Sequence, residues 1–227
     1  MTWQERESVH LRTVPDDIVD LAYRIDCPHL PLDHAYVLSQ ALQQALPWLE
    51  KEESAGLHLI HVAGSGNGWM RPENTRNATL QLSKRTRLYL RLPKARVTEA
   101  QQLTGQVLDI GGHSLIVGES SIKPLGYSST LFARYVLTAP EEQEQQFTDR
   151  QLDQLETMGV RVKKILCGKH HEFYTPEGEV TVRSLMLAEL SFDESIKLQQ
   201  TGLGPKRRMG LGLFIPHKGI APVMIEE

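Results

Sequence analysis

The sequence predicts an α+β protein built as two tandem ferredoxin-like (β-α-β-β-α-β) units, residues 1–127 and 128–227. Three observations predict it. Apolar residues alternate with polar ones in short runs, helix-start signals fall between those runs, and the order strand, helix, strand, strand, helix, strand is read twice along the 227 residues. Hydrophobic residues make up 40% of the chain and charged residues 23%, enough apolar material for one large core or two small ones.

In the first unit, Val19, Leu21, Tyr23 and Ile25 alternate with Asp20 and Arg24, the pattern of a half-buried strand. In LPLDHAYVLSQALQQALPWLE, Asp33 suits a helix cap, and Ala35, Leu38, Leu42, Ala45 and Leu49 then fall on one helical face. Residues 57–63 (LHLIHVA) read as a second strand, GSGNGW as a loop and 79–92 as one long third strand. TEAQ (98–101) has the form of a capping box, opening a short helix that Gly105 can end, and VLDIGGHSLIVG supplies a fourth strand or hairpin.

The second unit repeats the plan. LFARYVL (131–137) is a strand, and TDRQ (148–151) a capping box for a helix through Leu152 and Leu155 that stops near Gly159. Strands at 162–175 and 180–190 flank the turn PEG. Ser191 and Glu194 cap a short helix running to Gly202, and 209–215 (MGLGLFI) closes as a strand.

Composition narrows the partners. The formal net charge is -3, so any surface for a polyanion must be a local patch. Cys27 and Cys167 are too few for a disulfide framework and too widely spaced for a four-cysteine zinc site, which fits a reducing cytosol. The amino terminus, MTWQERESVH, is charged where a signal peptide needs an apolar run, and no stretch approaches the ~20 apolar residues of a membrane span. A soluble cytoplasmic protein with no membrane contact is expected. Residues 71–96 hold eight basic side chains (Arg71, Arg76, Lys84, Arg85, Arg87, Arg91, Lys94, Arg96) against the single acid Glu73. If Leu88, Leu90 and Leu92 face the core, Arg85, Arg87, Tyr89 and Arg91 share the opposite face, where cations and an aromatic ring suit a polyanion with stackable bases. A plain solvated face is the alternative. The acidic stretch 139–159 reads as a solvated helix or a face for a protein partner.

GLGPKRRMGLG (202–212) sets Gly202, Gly204, Gly210 and Gly212 symmetrically around Lys206, Arg207 and Arg208, which suggests a loop that cradles phosphates. A dinucleotide fingerprint needs its glycines between a strand and a following helix, and here they follow a helix and enter a strand. A Walker loop ends in Gly-Lys-Ser or Gly-Lys-Thr, whereas Arg207 follows Lys206. A helix end at Gly202 plus a glycine-tolerant strand explains two of the glycines and leaves the symmetry and the cations.

The loop and its position resemble the carboxy-terminal glycine-rich loop of CRISPR repeat-processing endoribonucleases of the RAMP superfamily. LPLDHAY, VRSLMLAEL and GLGLFIPHK are similar to the variant associated with the MYXAN type of CRISPR system. The resemblance implies a RAMP-type tandem fold and an endoribonuclease that cuts CRISPR repeat RNA with no metal or other cofactor. The nucleophile it implies is the substrate's own 2′-hydroxyl, leaving 2′,3′-cyclic phosphate and 5′-hydroxyl ends. It also implies retention of the mature crRNA and association with other subunits of a CRISPR effector complex.

Such chemistry needs a group that moves protons, and a histidine is suited to it. Many members of the family that the chain resembles keep a catalytic histidine near the start of the first helix, while others vary there, and the resemblance thus points to His34, with Tyr36 in reserve. RNA contacts are expected from Gly202, Gly204, Lys206, Arg207, Arg208, Gly210 and Gly212 and from Arg85, Arg87, Tyr89 and Arg91. Cys27, His29 and His34 are conceivable soft-metal ligands but lack a second pair at zinc-like spacing. Cys167, His170 and His171 read as strand residues, Ser184 as a strand residue able to approach a cleft, and His217 with Lys218 as a basic edge. Two other readings stay open: a non-catalytic RAMP subunit that binds guide RNA, and a ferredoxin-like metabolic enzyme or small-ligand module.

Overall fold

The computed structural model describes residues 13–61 and 78–217. The first half runs β1 (Ile18–Asp26), β2 (His29–Pro31), α1 (Ala35–Ala45), β3 (Gly56–His58), β4 (Thr79–Gln81), β5 (Arg87–Pro93), α2 (Val97–Ala100), β6 (Val107–Asp109) and β7 (Ser114–Pro124). The second runs β8 (Thr130–Leu137), α3 (Glu144–Thr157), β9 (Lys164–Thr175), β10 (Gly178–Ala188), α4 (Phe192–Thr201) and β11 (Phe214–Pro216). The sheet orders β3-β5-β1-β7-β6 and β11-β8-β10-β9 carry the same plan: in each half the first and third strands lie at the centre, flanked by the second and fourth. All neighbours are antiparallel. This is the tandem ferredoxin-like fold expected from the element order.

Local chemistry explains most boundaries. Val19, Leu21, Tyr23 and Ile25 all turn into the core, as the alternation predicts. Pro47 ends α1, since it has no N–H to donate and keeps Leu46 out of the helical conformation (φ -130, ψ 81). Gly111 and Gly112, both at positive φ, form the two-residue turn between β6 and β7 that requires this geometry. The Ser191 box is present: Glu194 accepts from Ser191 N at 2.8 Å and Ser191 Oγ accepts from Glu194 N.

Several expectations are corrected. The long strand over 79–92 is two strands, because Ser83 to Thr86 close a turn in which Ser83 O accepts from Thr86 N at 2.9 Å; β4 pairs instead with β2. TEAQ does not cap α2, which enters directly from the 3-10 turn Lys94–Arg96. TDRQ lies inside α3; that helix starts after Gln143, whose N–H donates to Gln146 Oε1, and Thr148 donates back to Glu144 O. Of the strand read at 57–63, the described part is regular only over Gly56–His58, residues 62 and 63 lying outside the described residues, and the closing strand is regular only over Phe214–Pro216. Asp33 is not the N-cap of α1: His34 takes that position, and Asp33 Oδ2 accepts from Tyr174 N on β9 at 2.7 Å, tying the halves together. The GSGNGW loop, Arg71, Arg76 and Lys218 lie outside the described residues.

Among the described residues two cores form, and they interlock. The larger joins the first sheet and α1 and also takes in Tyr135, Phe173, Val182 and Leu211 from the second half. The smaller gathers Phe147, Leu155, Leu185, Leu187, Leu198, Leu203 and Phe214. Leu203 thus anchors one end of the glycine loop in one core and Leu211 the other end in the other. The loop is pinned where the halves meet.

Candidate functional site

A cleft of about 430 Å³ opens between the halves. One wall is β1 and the segment after α1, with Asp20, His58, Leu59 and His61. The floor is the Ser83–Thr86 turn and β5, with Arg85, Arg87 and Tyr89. The far wall is β8 and the glycine loop, with Arg134, Tyr135, Gly210, Leu213 and Ile215. Among the described residues three arginines line it against one carboxylate, and that carboxylate is already engaged. The cleft therefore presents positive charge, half-buried aromatic surface and two imidazoles, a combination suited to a phosphate chain carrying bases.

Asp20 is the centre of a buried network. Arg91 meets it with two parallel bonds, Nε to Oδ1 and Nη2 to Oδ2, each 2.8 Å, and Nη1 donates to Gln199 O and Phe214 O across the junction. His58 Nε2 lies 3.3 Å from the same Oδ1. Burial alone would raise the Asp20 carboxyl, but the hydrogen bonds from Arg91 and His58 outweigh it and hold the group well below the usual carboxylate range. Burial pushes His58 below its ordinary 6.5, against the pull of Asp20 and with the cations Arg91 and Arg207 adding to the burial effect. The His58 ring also meets the Tyr89 ring edge-on at 6.2 Å.

Arg91 therefore corrects the expectation of an exposed face. Its side chain is 1% exposed, because α4 and β11 cover the sheet at that point. It fastens the halves together and is not available to RNA. Arg85 is exposed on the turn, and Arg87 and Tyr89 are half-buried; all three reach the cleft. Lys94 and Arg96, from the same basic stretch, pair with Asp16 and with Glu52 and Glu99.

The glycine loop is closed by its own backbone. Leu203 N donates to Gly212 O at 2.9 Å, and Gly212 N to Tyr135 O at 2.7 Å. A Cβ on Gly212 would stand 2.1 Å from Leu203 O, one on Gly202 2.6 Å from Gly212 O, and one on Gly210 2.5 Å from Leu59. Close approach explains these three glycines. Gly204 meets nothing but holds φ +77. Of the cations, Lys206 is exposed and Arg208 half-exposed. Arg207 turns inward, donating to Gln200 O and Thr201 O at the end of α4, and burial beside Arg91 lowers it to about 10. Its guanidinium thus clamps the end of α4.

His34, the histidine expected to move protons, does not line this cleft. It is 3% exposed, with Nδ1 2.9 Å from Pro31 O and Nε2 accepting from Ile60 N at 3.1 Å. Both ring nitrogens meet backbone, and the structure does not bring His34 together with the residues that line the cleft. Tyr36 is half-buried on α1. Cys27 donates to His29 O, and among the described residues no three His, Cys, Asp or Glu converge as a metal site. His171 borders Tyr135 at 6.1 Å, His217 borders Phe132, and Ser184 fills the space over Gly168 where β9 and β10 bulge. Asp20, His58, His61, Arg134 and Tyr135 also line the cleft, and the sequence motifs do not single them out. Their signals are an anion and a cation, Asp20 and Arg134, inside apolar strands, and two histidines three apart beside a glycine-rich loop.

The family model described as "Cas6 Crispr" matches residues 19–219. A curated relative, the "CRISPR-associated endonuclease Cas6" of Myxococcus xanthus (strain DK1622), is 31% identical over 198 residues, covering 87% of this chain and 81% of that protein. Among solved structures, "An RAMP protein binding different RNA substrates" aligns with TM-score 0.60 at 16% identity, covering 86% of this chain and 98% of the other. "CRISPR associated protein Cas6" aligns at 0.58 and 13%, covering 88% and 100%. The "Structure of Thermus Thermophilus Cse3 bound to an RNA representing a pre-cleavage complex" aligns at 0.51 and 14%, covering 88% and 98%. At these identities the solved structures speak for the fold alone. Among the described residues no helix is long and apolar enough to cross a membrane.

Proposed function

The chain belongs to the Cas6 CRISPR family, and from that premise we propose that it is an endoribonuclease that cuts CRISPR repeat RNA in the cleft between its halves. The observation that carries this is the convergence of Arg85, Arg87, Tyr89, Arg134 and two histidines, His58 and His61, on one cavity. The nucleophile is the RNA's own 2′-hydroxyl. Its oxygen bonds to the adjacent phosphorus as the bond to the 5′-oxygen breaks, leaving 2′,3′-cyclic phosphate and 5′-hydroxyl ends. The protein then has to hold the sugar and phosphate in line, take one proton, give one proton and stabilise added charge on phosphorus. His58 and His61 are the proton-transfer groups in this reading, in place of His34. Arg85, Arg87 and Arg134, with Lys206 and Arg208 on the loop, hold the phosphates, and Tyr89 offers a ring for an unpaired base. Cations on both sides of the cut also favour retention of the mature crRNA.

The test is purified protein with repeat RNA in excess chelator. Cleavage to a cyclic-phosphate product is expected, and a single 2′-deoxy sugar before the scissile phosphate should abolish it while leaving binding intact. Cutting of the deoxy substrate at the normal rate, or dependence on added divalent metal, would overturn the mechanism.

A further inference from the structure

We infer that Asp20 is a positioning residue for cleavage: it fixes His58 as the tautomer that carries its proton on Nε2 and leaves Nδ1 to accept the proton of the attacking 2′-hydroxyl. The inference rests on the cleft being the cutting site.

Geometry and elementary acid–base chemistry carry it. An ionised carboxylate accepts hydrogen bonds and donates none, and Asp20 is ionised, since Arg91 holds both its oxygens. The group facing it, His58 Nε2, must then be the donor. A neutral imidazole has one N–H, so Nδ1 keeps its lone pair, and it has no hydrogen-bond partner among the described residues. The Tyr89 edge holds the ring from the side. Burial keeps the ring neutral and ready to accept, although Arg91 on β5 and Arg207 on the loop also face it. In the step itself, the 2′-hydroxyl proton passes to Nδ1 as the oxygen–phosphorus bond forms. The departing 5′-oxygen takes a proton from a second donor, for which His61 lies in the same cleft.

The network also reaches the packing of the halves. The Arg91 guanidinium that holds Asp20 donates through Nη1 to Gln199 O and Phe214 O. Correct seating of α4 and β11 thus sets the geometry of a base on β3, and a chain whose halves are not docked lacks a correctly held His58.

Nitrogen-15 histidine NMR of the full chain, with His58→Gln to assign the signal, reads the tautomer directly. The Nε2–H form is expected; an Nδ1–H form would overturn the inference whatever the enzyme does. Asp20→Asn, made alongside, should cut repeat RNA about 10- to 100-fold more slowly, part of what a general base contributes. The acidic limb of its pH–rate profile should move to lower pH, because Arg91 and Arg207 then face the imidazole with no counter-charge. Affinity for the 2′-deoxy RNA should stay within about threefold, since one negative charge fewer does not weaken a phosphate contact. A variant that keeps both rate and pH limb would sink the positioning role. A wild type that binds repeat RNA and never cuts it would sink the function instead. If Asp20→Asn does not fold, the wild-type tautomer decides alone.

Discussion

His34 and His58 share a residue type and differ in every partner. His34 is a joint between α1 and the segment after it, donating through Nδ1 to Pro31 O and accepting from Ile60 N. His34→Ala would strand a buried N–H and a buried C=O, each costing roughly 1–3 kcal/mol. The expected outcome is a lower denaturant midpoint, with cleavage by the folded fraction within about threefold of wild type. His58→Ala, by contrast, should slow cleavage by about 10² to 10⁴, the range for losing a general acid or base, while leaving the RNA affinity nearly unchanged. A selective loss of cleavage in His34→Ala at unchanged stability would return the chemistry to His34. The sequence offered no means of separating the two. A helix-start histidine is favoured by its likeness to catalytic positions, and only the fold reveals that Ile60 N closes over its ring.

At the scale of elements, the glycine loop shows what a sequence pattern can and cannot separate. Four glycines around three cations were legible as one device, and the structure divides it in two. Gly202, Gly210 and Gly212 are needed where backbone meets backbone or Leu59, and Arg207 serves the end of α4. Lys206 stays exposed and Arg208 half-exposed. Gly212→Ala puts a Cβ against Leu203 O at positive φ, so a large loss of stability or no folded protein is expected by thermal melt. Lys206→Gln with Arg208→Gln should leave stability alone and reduce the slope of log affinity against log salt by about 1.4 to 1.8, at roughly 0.7 to 0.9 per phosphate contact. An unchanged slope would take the loop out of the RNA interface. Similar divisions run through the other elements. The Ser191 box was legible because its cap is the ordinary serine, whereas α3 begins after a glutamine that no cap pattern picks out. The alternation in β5 correctly sent Leu88, Leu90 and Leu92 inward. It could not say that α4 and β11 would cover the other face at Arg91, because that depends on how the second half docks.

For the whole molecule, docking sets both the site and the pH range in which the fold holds. The tandem plan was readable from local patterns since each half repeats one strand order, but the cleft belongs to the junction, which local patterns do not encode. Its buried network makes stability depend on pH with a definite sign. Folding lowers the His58 pKa below 6.5, so as pH falls through 6.5 the unfolded chain takes up a proton that the folded chain refuses. Stability is lost across the window from 6.5 down to the folded value, and the loss stops below it. Asp20 acts in the same direction at lower pH: its stabilisation is complete above the ordinary 3.8 and disappears as pH falls through its lower folded value. The melting temperature should therefore drop as pH is lowered from about 7 to about 5, the range where an imidazole of ordinary pKa titrates. His58→Gln, which cannot titrate, should flatten that part of the curve without moving the acid unfolding that Asp20 controls. Parallel curves for the two proteins would mean that His58 is not held neutral by the fold, and the cleft would lose the lone pair that the 2′-hydroxyl needs.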